Sequence, residues 1–103
     1  GCVNITYTMT IDVDRVGEND TQFLFEVLVD ENDRVPPFTV TVDKLYYEHL
    51  TGVAVSPEIL VEKSFVFLTE REPKEAILRE FNLTYIARYF PEYETEIKKY
   101  FAG

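Results

Sequence analysis

The chain is poor in the residues that carry most small-protein chemistry. Of its 103 residues one is cysteine, at position 2, and one is histidine, at position 49. A lone cysteine closes no internal disulfide, and one cysteine with one histidine does not make a zinc set. The four glycines stand at 1, 17, 52 and 103, so no glycine-rich loop is there to cradle phosphate. No apolar run approaches the roughly 18 residues of a membrane span, and no charged-then-apolar leader pattern occurs. The expectation is a reduced, cytoplasmic protein without cofactor, metal or transmembrane segment.

The sequence opens Gly1-Cys2 without methionine, which reads as a trimmed start. The alternative is export, with Cys2 as a lipidated or processed N-terminus, although the apolar segment expected before a lipoprotein cysteine is absent. A myristoylation pattern asks for Ser or Thr where Ile5 stands. Three of the four asparagines, Asn4, Asn19 and Asn82, begin an N-x-Thr triplet. Without a leader or a disulfide pair these read as coincidence rather than glycosylation acceptors.

What the chain has is acid and aromatic carbon. Residues 1–43 carry nine Asp or Glu against Arg15 and Arg34, a balance of −7, while residues 44–103 carry ten against eight bases, a balance of −2. A field of that sign repels phosphate backbones, so nucleic acid is disfavoured as a partner. The apolar share of 46% is enough for a folded core.

Three alternating runs predict strands at about 3–14, 21–30 and 38–42. In the first, odd positions 3 to 13 are all apolar. The stretch RVGENDT then reads as a long hairpin loop, and DENDRVPP as a second connection. In the second strand Leu24 and Leu28 face away from Phe23. They are either incidentally exposed or a small patch that pairs with another chain.

From Asp43 the period becomes helical. Helices are expected at about 44–51, 57–71, 74–81, 85–90 and 92–101. Asp43 can cap the first and Gly52 can end it; Ser56, Pro57 and Glu58 form a strong start for the second. The wide apolar arc of that helix predicts a central element, covered by the sheet on one side and by helices on another. Pro73 should end or bend it and open the next. Thr84 reads as the cap of the fourth helix and Pro91 as the start of the last.

Candidate chemistry is sparse. Ser56, Ser64 and Cys2 are the conceivable nucleophiles and His49 the imidazole base, with no G-x-S-x-G elbow. Asp12, Asp14, Gly17 and Asp20 superficially match a calcium loop, but Val16 and Phe23 occupy positions that need oxygen ligands. The acids of TEREPKE have local partners, since Glu70–Lys74, Arg71–Glu75 and Glu75–Arg79 fall at i+4 if the helix runs on. Phe67, Leu68, Ile77, Leu78 and Phe81 should supply core contacts around that corner. Lys74, Arg79, Arg88, Lys98 and Lys99, with Tyr85, Tyr89 and Tyr93, give one foothold for weak nucleic-acid binding, nearly cancelled by interleaved glutamates.

The words SPEILVEKSF (56–65), EREPKEAIL (70–78) and RYFPEYE (88–94) resemble a family of short prokaryotic hypothetical proteins. The resemblance covers about residues 22–97; members begin close to the second strand, so the segment before Thr21 departs from the pattern. The family carries no assigned activity. The resemblance therefore implies a prokaryotic, cytosolic origin and adds no site.

Taken together, the sequence predicts one α+β domain: a three-stranded antiparallel meander followed by four or five short helices packed on one face. The expected role is a small non-enzymatic protein-interaction or regulatory module, with a protein partner and a second copy of the chain as one candidate. Leu24 and Leu28 are its interface candidates. The alternatives are a ligand binder or small enzyme with a pocket formed by Tyr46, Tyr47 and His49, and a weak nucleic-acid binder using the later helices.

Overall fold

The computed structural model describes residues 10–29 and 36–102. Within them the chain is α+β, with four strands and four α-helices. Strand β1 (Ile11–Glu18) pairs antiparallel with β2 (Gln22–Val29), and β2 pairs antiparallel with β3 (Phe38–Asp43). Helices α1 (Lys44–Thr51) and α2 (Pro57–Arg71) follow, then a 3-10 turn at Lys74–Ala76. Strand β4 (Glu80–Asn82), α3 (Thr84–Tyr89) and α4 (Tyr93–Ala102) complete the order.

The hairpin differs from the sequence expectation. Residues 3–9 of the expected first strand lie outside the described residues. Beyond Asp14 the strand continues to Glu18 through a bulge, with Arg15 opposite Phe25 and Gly17 opposite Leu24. Val16 is the inserted residue, which is why the turn formers of RVGENDT do not make a long loop. The reversal itself is short. Asn19 Oδ1 accepts the backbone N–H groups of Thr21 (2.9 Å) and Gln22 (2.8 Å), an Asx turn.

Alternation then sorts the sheet. Phe23, Phe25, Val27 and Val29 of β2 and Phe38, Val40 and Val42 of β3 are buried on the inner face, while Leu24 and Leu28 stay exposed on the outer one. α2 lies against the inner face, with Phe65 5.3 Å from Phe38 and 6.0 Å from Phe81 between ring centroids. Its other side meets α4, where Phe67 stands edge-on to Tyr93 at 5.2 Å. The wide apolar arc is thus covered from two sides, although Ile59 remains exposed. Ser56 caps α2 by accepting from the Ile59 N–H at 3.2 Å, and Gly52 ends α1 at φ 60°.

The expected helix over 74–81 is not there. Glu72 and Pro73 are extended, one 3-10 turn follows, and Glu80–Asn82 adds to β3 as a parallel fourth strand, Phe81 opposite Val40. The sheet is therefore mixed, in the order β1-β2-β3-β4: the expected three-stranded antiparallel meander is there, extended by a parallel fourth strand. The reason is backbone satisfaction. β3 would otherwise be an edge, and the Thr39 N–H donates to Arg79 O (2.7 Å) while the Leu83 N–H donates to Thr41 O (2.8 Å). An eight-residue helix is marginal alone, so this pairing prevails. Leu78 consequently turns to solvent, whereas Ile77 and Phe81 reach the core.

Two cap assignments also change. Asp43 precedes α1 but makes no side-chain cap; its Oδ1 accepts from Gln22 (2.9 Å) and Asn82 (3.3 Å), tying β2 and β4 together. Thr84 is the first residue of α3, and Asn82 Oδ1 accepts from its N–H and its hydroxyl, both at 3.0 Å.

Candidate functional site

The residues that carry chemistry gather in three places. One is a hollow of about 740 Å³ where the β1–β2 turn, the start of α1 and the start of α3 converge. Asp20 and Thr21 supply the turn side, Asp43 the end of β3, and Thr84 the start of α3. Lys44, Leu45, Tyr46, Glu48 and His49 line it from α1. Their spacing explains this: 45, 48 and 49 lie at i, i+3 and i+4, on one helical face.

Of the three residues expected at a pocket, the hollow takes Tyr46 and His49. The rings are stacked, 6.4 Å apart and inclined at 27°. Tyr46 donates its hydroxyl to Glu94 at 2.8 Å, joining α1 to α4, and burial together with that carboxylate holds the phenol well above its usual range. Tyr47 points the other way, into the core. It stands edge-on to Phe23 and donates its hydroxyl to Val55 O at 2.6 Å.

Among the described residues the hollow assembles no hydroxyl or thiol nucleophile paired with an imidazole base. His49 is exposed, and among the described residues its imidazole has no hydrogen-bond partner. The two hydroxyls on the rim are committed, Thr21 to Asn19 Oδ1 at 3.3 Å and Thr84 to Asn82 Oδ1 at 3.0 Å. Ser56 caps α2, Ser64 is fully buried, and Cys2 lies outside the described residues. Among the described residues no group of three or more His, Cys, Asp or Glu is placed to hold a metal ion. Asp12 and Asp14 of the calcium-like pattern are exposed strand residues.

The second place is an ion-pair chain that binds β1 to the starts of α1 and α2. Arg15 grips Glu58 with two bonds of 2.9 Å, reaches Glu18 at 3.3 Å, and Glu18 accepts from Lys44 at 2.7 Å. The Phe23 ring lies beneath, 4.6 Å from the Arg15 guanidinium carbon and 5.1 Å from the Lys44 ammonium. The Lys44 bond holds Glu18 below the usual carboxylate value. At Glu58 burial is the largest influence and pushes upward, but the Arg15 bonds, a backbone N–H and the Arg15 charge together outweigh it and the net direction is down.

The third place is the outer face of the sheet. Leu24 and Leu28 are 37% and 41% exposed, with Glu26 between them on the same side of β2. Asp12 lies opposite Leu28, and Asp14 directly opposite Glu26. On β3 the facing residues are Thr39 and Thr41. Two acids in one cross-strand pair repel, so this arrangement costs stability. A dimple of about 190 Å³ lies beside Leu24, bordered by Gly17, Gln22 and Thr41.

The corner around Pro73 is a structural joint. Arg71 lies over the Phe67 ring at 3.6 Å and donates to Glu92 at 3.3 Å, so it clamps α2 to the α3–α4 connection. Tyr100 donates to Glu70 from α4. Arg79 donates to Pro36 O at 2.7 Å and covers Phe38. Of the bases expected on a nucleic-acid face, Arg79 is engaged here and Lys99 pairs with Glu96 at 3.3 Å.

No described helix is long and apolar enough to cross a membrane. Comparison with protein-family models, with curated proteins and with solved structures gives no match.

Proposed function

We propose that the chain is a small non-enzymatic interaction module that docks a protein partner on the outer face of its sheet. The observation that carries this reading is the pair of exposed leucines, Leu24 and Leu28, set among Asp12, Asp14 and Glu26 with two of the acids directly opposed. Apolar exposure rimmed by charge is the pattern of a docking surface, and repelling acids are tolerated where a complementary partner offsets them. Charge complementarity makes that partner basic: a surface carrying Lys or Arg among apolar side chains, steered by the −7 balance of residues 1–43.

Leu24→Thr combined with Leu28→Thr tests this, because both positions are exposed, threonine suits a strand, and no further acid is set opposite Asp12. Wild type should retain a basic partner at physiological salt, and the double variant should lose it while melting at the same temperature. Capture that ignores the double substitution would contradict the reading. So would strict monomer behaviour with no macromolecule retained.

A second reading, a ligand binder at the hollow beside His49, is favoured by the concavity itself. Its volume of about 740 Å³ falls within the range of ligand sites.

A further inference from the structure

We infer that the hollow at the start of α1 is a receptor for the basic side chain of a peptide segment, a lysine or arginine whose aliphatic stem lies along Leu45 and the Tyr46–His49 pair. This rests on the second reading above and not on the sheet face.

Four acidic or basic side chains besides His49 border the hollow: Asp20, Asp43, Glu48 and Lys44. The lysine is engaged, donating to Glu18 at 2.7 Å in the neighbouring ion-pair chain. Asp43 uses Oδ1 for Gln22 and Asn82, both neutral donors, so its charge is not neutralised there. Asp20 and Glu48 are exposed and make no ion pair among the described residues. Against one lysine already bound to Glu18, the concavity thus sets three carboxylates.

The wall between them is apolar. Leu45 is 81% exposed, the most exposed of the large apolar residues described, and it stands one position from the Tyr46 ring. Tyr46 cannot swing out to meet a ligand freely, because its hydroxyl is anchored on Glu94. A preformed aromatic surface beside uncompensated carboxylates fits an ammonium or guanidinium group on an alkyl stem. An anion would meet three like charges, and a purely apolar residue would leave the acids unanswered. Within basic ligands, a peptide side chain is favoured over a free polyamine because the hollow is open and continuous with a strongly exposed leucine, which needs an apolar neighbour on the same ligand.

The test is a titration of the ¹⁵N-labelled protein with a soluble peptide alternating Lys and Leu, beside a peptide with Glu for every Lys and beside free spermidine. The expected result is amide shifts at 20–21, 43–49 and 84 for the Lys peptide, weakening as salt rises past about 0.1 M. Glu48→Gln and Asp20→Asn should each weaken binding about two- to fivefold, as for an exposed charge pair. Leu45→Ser should weaken the peptide while leaving any spermidine binding unchanged. Shifts that cluster elsewhere, an equal response to the Glu peptide, or spermidine binding as tight as the Lys peptide would each overturn the inference. Glu70→Gln, remote from the hollow, should change nothing. Loss of partner retention by the Leu24/Leu28 double variant, with the peptide titration intact, separates failure of one reading from failure of the other.

Discussion

Ser64 and Tyr93 meet inside the helical layer, and the direction of their hydrogen bond can be worked out from the partners. Ser64 Oγ lies 2.7 Å from Leu60 O and 2.7 Å from Tyr93 Oη, and both side chains are fully buried. A hydroxyl has one proton, and a backbone carbonyl only accepts. The serine proton therefore goes to Leu60, and Tyr93 donates to Ser64. Burial, opposed by Ser64, keeps the phenol well above its usual range and so protonated and able to donate.

The two truncations should then differ. Ser64→Ala removes the acceptor and strands a buried phenolic O–H, costing about 1–3 kcal/mol. Tyr93→Phe leaves the serine proton satisfied on Leu60 and removes one accepted bond, costing about 0.5–1.5 kcal/mol. The double variant has no stranded donor and should sit near Tyr93→Phe alone, well short of the sum. In a domain of this size 1 kcal/mol moves Tm by about 4–8 °C, so the ordering is measurable by thermal and urea unfolding followed by circular dichroism. A larger cost for Tyr93→Phe than for Ser64→Ala, or additive costs in the double variant, would refute the donor assignment.

Val53 is a β-branched residue at φ 56°, 64% exposed in the α1–α2 connection. Val53→Asn should raise stability by about 1 kcal/mol, read as a later urea midpoint. Asp14→Asn should add about 0.2–1 kcal/mol by relieving the repulsion with Glu26, and the gain should shrink in high salt. Glu18 and Glu58 both have depressed carboxyl pKa values, so their stabilisation is present above the ordinary value of 4.5 and is lost as pH falls through the folded-state value. Urea midpoints from pH 7 to 3 should show a downward limb that Glu58→Gln makes shallower.

Much of this architecture is legible because it depends on local chemistry. β2 and β3 declare themselves by period-two alternation, and α2 by Ser56, Pro57 and Glu58 at its start. What is not legible depends on partners distant in sequence. KEAILREF has helical apolar spacing, and nothing in it announces that the backbone of Glu80–Asn82 will be claimed by β3, some forty positions away. The bulge at Val16 is hidden for a related reason: its single extra residue resembles loop composition until Gly17 is seen opposite Leu24.

The hollow shows the same division. His49 and Tyr46 are found from residue type, whereas Asp20, Thr21 and Thr84 arrive from the β1–β2 turn and the start of α3. A signal for the two threonines was present in the repeated N-x-Thr triplets. In both described triplets the asparagine oxygen accepts the backbone N–H two residues on and the threonine hydroxyl, a local turn that needs no glycan to explain it. Asn4 lies outside the described residues. Each turn commits its threonine hydroxyl internally and places that residue on the rim. The same sequence feature that reverses the chain at Asn19 and opens α3 at Asn82 therefore ties both threonine hydroxyl protons to local acceptors and leaves Asp20 and Glu48 as the rim groups that face a ligand with their charge.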